Sequence, residues 1–114
     1  MNAQAYIVIT TTENQEEATT LGRLMVERRL AACAQISGPI DSIYWWQGRI
    51  ESDTEWRCLF KTTGESYKAL ETAIREAHPY DVPQIVAIPI NKGSREYLLW
   101  IEETLSKHPH NSTP

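Results

Sequence analysis

The spacing of apolar residues changes along the chain, and each change marks an element. Residues 6–12 are β-branched and aromatic without clean alternation, which predicts a strand covered on both faces. Helical spacing begins after Asn14, and Glu17 stands three residues later, as in a helix capping pair. The sequence therefore predicts a strand followed by a helix that runs to about Arg29.

A long, bent hairpin is predicted next. Residues 30–46 are apolar enough for a strand, and Gly38-Pro39 interrupts them as a bulge or bend. Gln47-Gly48 supplies a turn, and the residues after it alternate between apolar and polar. Because the outer half of this hairpin is polar, we expect it to project beyond the core.

Two more helices and one more strand complete the pattern. Apolar residues between Tyr67 and Ala77 form the buried stripe of a second helix, which Pro79 ends. Residues 84–90 are almost wholly apolar and predict another strand covered on both sides, while residues 97–105 predict a third helix. The order β-α-β-β-α-β plus a C-terminal helix predicts an α+β, ferredoxin-like (split βαβ) sandwich.

In this fold two helices lie on one face of the sheet, so the other face needs a cover. Trp45, Trp46 and Trp56, together with the apolar first and last strands, argue against a solvated second face, which would show polar alternation. Self-association is the simplest way to cover it, and the hairpin is a natural arm for pairing with another subunit. The pattern therefore predicts a homo-oligomer.

Composition narrows the class of protein. The chain has 114 residues, 41% of them hydrophobic, and fits one globular domain, predicted over residues 1–106, with a polar, disordered tail over residues 107–114. Its formal net charge of -4 argues against nucleic-acid binding. No apolar stretch approaches the ~20 residues of a membrane span, and the start of the chain lacks a signal-peptide pattern. We therefore predict no membrane insertion, a cytoplasmic location, and reduced thiols at Cys33 and Cys58.

Five segments in register resemble the divalent-cation tolerance family called CutA. They are Leu30-Ala31-Ala32-Cys33, Ser42-Ile43-Tyr44-Trp45-Trp46-Gln47-Gly48, Leu59-Phe60-Lys61-Thr62-Thr63, His78-Pro79-Tyr80-Asp81-Val82-Pro83 and Glu96-Tyr97-Leu98-Leu99-Trp100. The resemblance implies a ferredoxin-like protomer in a tight homotrimer of PII-like architecture, with hairpin arms exchanged between neighbours. It also implies a role in tolerance of copper and other divalent ions, and no catalytic activity. The absence of GxSxG, HExxH and phosphate-cradling Gly motifs agrees with a non-enzymatic protein.

His78 and Cys33 are the candidate metal ligands, because imidazole and thiolate suit copper or zinc. Each also has a structural interpretation, His78 as a histidine that caps carbonyls at a helix end and Cys33 as a small buried hydrophobe among alanines. A lone Cys and a lone His cannot close a tetrahedral site, so ligands from neighbouring subunits would have to combine. Some CutA members have Cys where this chain has Thr10, and many have Glu where it has Gln84, so two candidate ligands are missing here.

A cleft between subunits is the second candidate site, with Lys61, Tyr80, Trp46 and Gln84 as its predicted walls. Lys61 either supplies a cation near His78 and Tyr80 or pairs with a carboxylate on a solvated face. Tyr80 either donates its hydroxyl to a ligand or is a buried tyrosine with a satisfied tip. Trp46 belongs to a stacking platform or to trimer packing, and the charge of the chain favours packing.

Three functions stay open from the sequence. The first is a trimer that senses or buffers a divalent cation such as copper. The second is a PII-like signalling trimer that binds a small metabolite between subunits, and the third is a scaffold without a specific ligand. His108 and His110 in the tail are close enough to chelate a transition ion weakly, so any metal-binding assay needs a control for them.

Overall fold

The computed structural model describes residues 3–106 and has the predicted α+β architecture. The elements are β1 (Ala5–Thr12), α1 (Gln15–Glu27), β2 (Cys33–Trp46), β3 (Arg49–Thr63), α2 (Gly64–Ala77), β4 (Val86–Pro89) and α3 (Arg95–Ser106). The four strands form one sheet in the order β2-β3-β1-β4, and every neighbouring pair is antiparallel. This confirms the predicted ferredoxin-like fold. The predicted tail, with His108 and His110, lies outside the described residues.

The start of α1 confirms the predicted capping pair. The Asn14 side chain accepts a hydrogen bond from the backbone N–H of Glu17 at 2.8 Å, and the Glu17 carboxylate accepts one from the N–H of Glu13 at 3.3 Å. The helix ends at Glu27, two residues before the predicted end, because Arg29 takes a left-handed φ of 61°. The backbone N–H of Leu30 then donates to the carbonyl of Met25, as at many helix C-termini.

The hairpin bends where the sequence predicts, and Trp56 explains the glycine at the bend. The β2–β3 register shifts between Ser37 and Ile40, and the Gly38–Pro39 peptide in this interval is cis. A Cβ atom on Gly38 would lie 2.7 Å from Cδ2 of Trp56, so only glycine fits against the ring. The sequence pattern predicted Trp56 on the open face of the sheet. The structure corrects this, because Trp56 packs against the main core. Strand alternation causes this, because Trp56 has the parity of the helix-facing residues of β3.

Two apolar clusters lie on opposite faces of the sheet. The larger one joins the sheet to α1 and α2, and its fully buried members include Val8, Met25, Phe60, Leu70 and Ile74. The smaller one joins α3 to one end of the other face, through Ala5, Ala32, Ile101 and Leu105. The third helix thus covers only part of the face that the first two leave open.

Strand β4 is shorter than predicted. It spans Val86–Pro89 instead of residues 84–90, and it pairs only with β1. Val86 and Ile88 keep 44% and 49% of their surface exposed, so a single chain does not cover this strand on both sides. The apolar run reflects a surface that the isolated chain leaves open.

One buried hydroxyl lacks a hydrogen bond within residues 3–106, namely Oγ1 of Thr10 on β1. Thr62 on β3 is equally buried, but its hydroxyl donates to the carbonyl of Leu30 at 2.8 Å. We expect Thr10→Val to raise the free energy of unfolding by about 1 kcal/mol, because it removes an unpaired polar group without changing shape. We expect the same change at Thr62 to lower it by about 1 kcal/mol. Chemical denaturation of both variants checks this pair, and equal destabilisation by both would contradict it.

Candidate functional site

The segment from His78 to Pro83, called the connector below, links α2 to β4. It places its residues at one end of the sheet. His78 is the C-cap residue of α2, and its backbone N–H donates to the carbonyl of Ile74 at 2.9 Å. Its side chain is buried, with 7% of the residue surface exposed. The helix ends at this point because Pro79 disfavours helical φ and ψ angles for the residue before it.

Both ring nitrogens of His78 have protein partners. Nδ1 accepts a hydrogen bond from the backbone N–H of Tyr80 at 3.1 Å, and Nε2 lies 2.7 Å from the carbonyl oxygen of Thr11. A carbonyl can only accept, so the proton is on Nε2 and the imidazole is neutral. The ring therefore joins the connector to β1, and neither nitrogen has a lone pair free for a metal ion in this arrangement.

Cys33 lies elsewhere in the fold. It pairs with Lys61 across the β2–β3 ladder, and its sulfur lies 3.7 Å from the hydroxyl of Tyr97 on α3. Lys61 in turn pairs with Ile7, and Thr11 stands four residues further along β1, about 13 Å at the usual rise of a strand. One chain therefore does not bring Cys33 and His78 together. Among residues 3–106, no group of three or more His, Cys, Asp or Glu side chains is arranged to hold a metal ion.

Cys58, the second cysteine, is a core residue. It is fully buried on the helix-facing side of β3, and burial raises the pKa of its thiol to about 12. A thiol that stays protonated is a poor nucleophile and a poor metal ligand. Cys58 therefore contributes packing to the core.

Three of the four predicted cleft residues line one groove. Trp46, Tyr80 and Gln84 lie on the walls of an open cavity of about 790 Å³ between the hairpin arm and the connector. Lys61 does not line it. Its ammonium group donates to the side-chain oxygen of Gln35 at 2.9 Å and lies 3.4 Å from the Tyr97 hydroxyl. Within one chain Lys61 does not lie near His78 and Tyr80, because the ladder places it toward the other end of β3. Its predicted place in a cleft between subunits stays a prediction.

Four carboxylates line the groove that were not among the predicted site residues. They belong to Glu13, Asp53, Glu55 and Asp81. Glu13 follows β1, Asp53 and Glu55 lie on β3, and Asp81 lies in the connector. These three regions are far apart in sequence, so the four carboxylates come together only in the folded chain. The alternation of Asp53 and Glu55 along a strand was the one local signal that two acids share a face.

Two tyrosines hold two of these carboxylates. The Tyr80 hydroxyl donates to Oε2 of Glu55 at 2.8 Å, and the Tyr44 hydroxyl donates to the carboxylate of Asp53. The hydrogen bond to Asp53 raises the pKa of Tyr44 to about 12, and burial together with the Glu55 bond raises the pKa of Tyr80. Both phenols therefore stay protonated near neutral pH and act as donors. The hydroxyl of Tyr80 is satisfied within the chain.

Comparison with known proteins identifies the family. The family model described as CutA1 divalent ion tolerance protein matches residues 6–104. The chain belongs to the CutA1 family. It is 44% identical over 97 residues to the divalent-cation tolerance protein CutA of Thermus thermophilus, and the match covers 85% of this chain and 94% of that protein.

Solved CutA structures share the fold. The structure of CutA1 from Oryza sativa superposes with a TM-score of 0.87 at 33% identity, covering 90% of this chain and 94% of the other. That of the periplasmic divalent cation tolerance protein CutA from Archaeoglobus fulgidus superposes with a TM-score of 0.85 at 38% identity, covering 89% and 98%. The resemblance drawn from five sequence segments is therefore confirmed for the family and for the fold.

The comparisons leave the cytoplasmic location of this CutA chain a prediction, since the Archaeoglobus relative is called periplasmic. Among residues 3–106, no helix is long and apolar enough to cross a membrane.

Proposed function

We propose that this CutA chain acts as a homotrimer in the cellular response to divalent metal ions, copper among them, without catalysing a reaction. The family match over residues 6–104 carries the proposal. Support comes from relatives named divalent-cation tolerance proteins at up to 44% identity, matched over most of their length.

The open apolar surface of the chain supports the trimer. Ile43, Trp45 and Ile50 on the hairpin arm are 72%, 71% and 63% exposed, and Val86 and Ile88 on β4 are half exposed. Tyr97 and Trp100 on α3 add two further exposed rings. Large exposed apolar patches on a folded protein mark interaction sites. We assign two surfaces to subunit contacts, the hairpin arm and the sheet face that α3 covers only in part. Cys33 and Lys61 lie at the edge of that sheet face.

Direct metal binding through His78 and Cys33 requires more than one subunit. A single chain separates the two residues, and His78 would have to give up its bond to Thr11 or to Tyr80. A metal site of this kind would therefore have to lie between subunits, and within one chain His78 is a structural residue. Tolerance without a stored ion, through a partner protein, agrees equally with the arrangement in one chain.

The function is tested in a bacterial host that lacks its own CutA protein. We expect expression of this chain to restore growth at a copper concentration that stops the host carrying an empty vector. A matched host expressing the double variant His108→Ala/His110→Ala should grow equally well, which separates the folded part from adventitious chelation by the tail. Failure of both to restore growth on copper, zinc and manganese would overturn the proposal.

A second candidate function is favoured by the groove. Trp46, Tyr80 and Gln84 meet in a concave surface of about 790 Å³, a size typical of small-molecule sites. The chain would then act as a PII-like signalling trimer whose ligand is a small metabolite. A ligand that binds only the folded trimer must raise its melting temperature, so a thermal-shift screen tests this candidate.

A further inference from the structure

The charges on the open face of β3, the sheet face that α3 covers only in part, change sign along the strand. Cys58 and Phe60 belong to the helix-side core, so strand alternation places the odd-numbered residues of β3 on the open face. Asp53 and Glu55 come first on this face and line the groove beside the hairpin arm. Arg57 comes next and is exposed. An acidic half of the strand face is thus followed directly by a cation.

Arg57 lies among apolar residues and has no ion-pair partner in its own chain. Ile9 and Leu59 pair across the ladder next to it and share its face of the sheet. Within residues 3–106, Arg57 takes part in no ion pair, whereas the next cation on this face, Lys61, donates to Gln35. A guanidinium buried in a subunit contact without an acid costs several kcal/mol. A subunit that covers this face therefore has to supply a carboxylate.

The groove beside the hairpin arm has the carboxylates that such a contact needs. A tyrosine hydroxyl donates to each of Asp53 and Glu55, so both acids are held in place and keep acceptor capacity. Trp46 on the same wall offers an aromatic face on which a guanidinium stacks. Arg57 of the same chain is not among the residues that line the groove. The cation that fits these walls belongs to another copy of the chain.

The symmetry of a trimer requires two different patches of this kind. In a closed ring of three identical subunits, each contact joins one patch to a different patch, because a patch that meets its own copy makes a pair and not a ring. The basic and acidic parts of the β3 face are two such patches, and opposite charges across an interface fix its register.

We propose that the guanidinium of Arg57 enters the groove of the next subunit and pairs there with Asp53 and Glu55, so that this contact closes the ring. The inference rests on the homotrimer of the proposed function and names the residues that meet in it. It stands against the second candidate function, since the groove walls would then contact a subunit and not a metabolite.

Mixing two charge variants tests the inference. Arg57→Glu places like charges together at every contact, and so does Asp53→Lys/Glu55→Lys. We expect each variant to dissociate at a concentration at least tenfold above that of the wild type. A mixed ring has opposite charges at all but one of its contacts, so trimers should return when the two variants are combined. Multi-angle light scattering on a dilution series at low salt measures the trimer fraction.

Two further variants control for charge and for folding. Arg23 is exposed on α1, in the helix layer on the opposite side of the sheet, so Arg23→Glu should dissociate as the wild type does. If circular dichroism shows that the lysine variant is unfolded, Asp53→Asn/Glu55→Gln replaces it, because the amide oxygens still accept from the tyrosines. This neutral variant should also weaken the trimer at least tenfold, and it should have no further effect in an Arg57→Gln background.

The outcomes separate this inference from the trimer on which it rests. An Arg57→Glu variant that dissociates as the wild type does would remove Arg57 from the contact and overturn the inference. A mixture with no more trimer than its separate components would place the partner of Arg57 in its own chain and also overturn it. Light scattering of the wild type and the copper growth assay report on the proposed function independently of both results.

Discussion

We expect Trp45→Glu to convert the proposed trimer to monomers at micromolar concentration. Trp45 is 71% exposed on the hairpin arm and pairs across the ladder with Ile50, itself 63% exposed. An unpaired carboxylate in a buried subunit contact costs several kcal/mol, and aromatic anchors carry much of the binding energy of interfaces. Multi-angle light scattering should give three times 13.1 kDa for the wild type and 13.1 kDa for the variant.

The control for this prediction places the same charge on the other side of the molecule. Ala69 is exposed on α2, which packs on the face opposite the proposed contacts, so Ala69→Glu should stay trimeric. If Trp45→Glu also remained trimeric with unchanged thermal stability, the arm would not belong to the interface. A wild type that runs as a monomer would remove the trimer itself.

His78→Ala should destabilise the protein by about 3 kcal/mol and leave its metal content unchanged. The substitution opens a cavity and removes two hydrogen bonds, and it leaves the Thr11 carbonyl and the Tyr80 N–H without partners at a buried site. Chemical denaturation measures the loss of stability. Elemental analysis of tag-free protein, in the His108→Ala/His110→Ala background, measures the metal.

Two conservative variants distinguish the bonds. His78→Asn keeps an acceptor near the place of Nδ1, and His78→Gln keeps a donor near the place of Nε2, so each should recover part of the lost stability. A structural ring predicts this partial recovery with no effect on metal content. A drop in bound copper that exceeds the drop in folded protein would instead make His78 a ligand, at an interface between subunits.

Structural features that depend on residues close together in the chain were predictable from the sequence. The Asn14 cap, the bend at Gly38 and the end of α2 before Pro79 each depend on residues a few positions apart. The element order followed because each periodicity extends over a whole element. The length of β4 was not predictable, since residues 84–90 are almost wholly apolar and only pairing with β1 decides which of them are strand.

The site was less predictable because its parts meet through long-range register. Tyr80 reaches Glu55, which is 25 residues away, and His78 reaches Thr11, which is 67 residues away. No local pattern connects such pairs. Lys61 shows the same effect, since a residue inside a family-like segment can lie at the far end of a strand from the groove. The family resemblance supplied candidate site residues, but strand pairing decides which of them lie close together.

The central place of β1 in the sheet sets an order of events during synthesis. Its two neighbours, β3 and β4, begin at Arg49 and Val86, whereas β1 ends at Thr12. The β2–β3 hairpin needs only local closure, so we expect it to form first. One edge of the apolar β1 then stays unpaired until the ribosome has synthesised β4. A nascent chain of this fold is therefore most vulnerable to aggregation and to chaperone capture just before its last strand emerges.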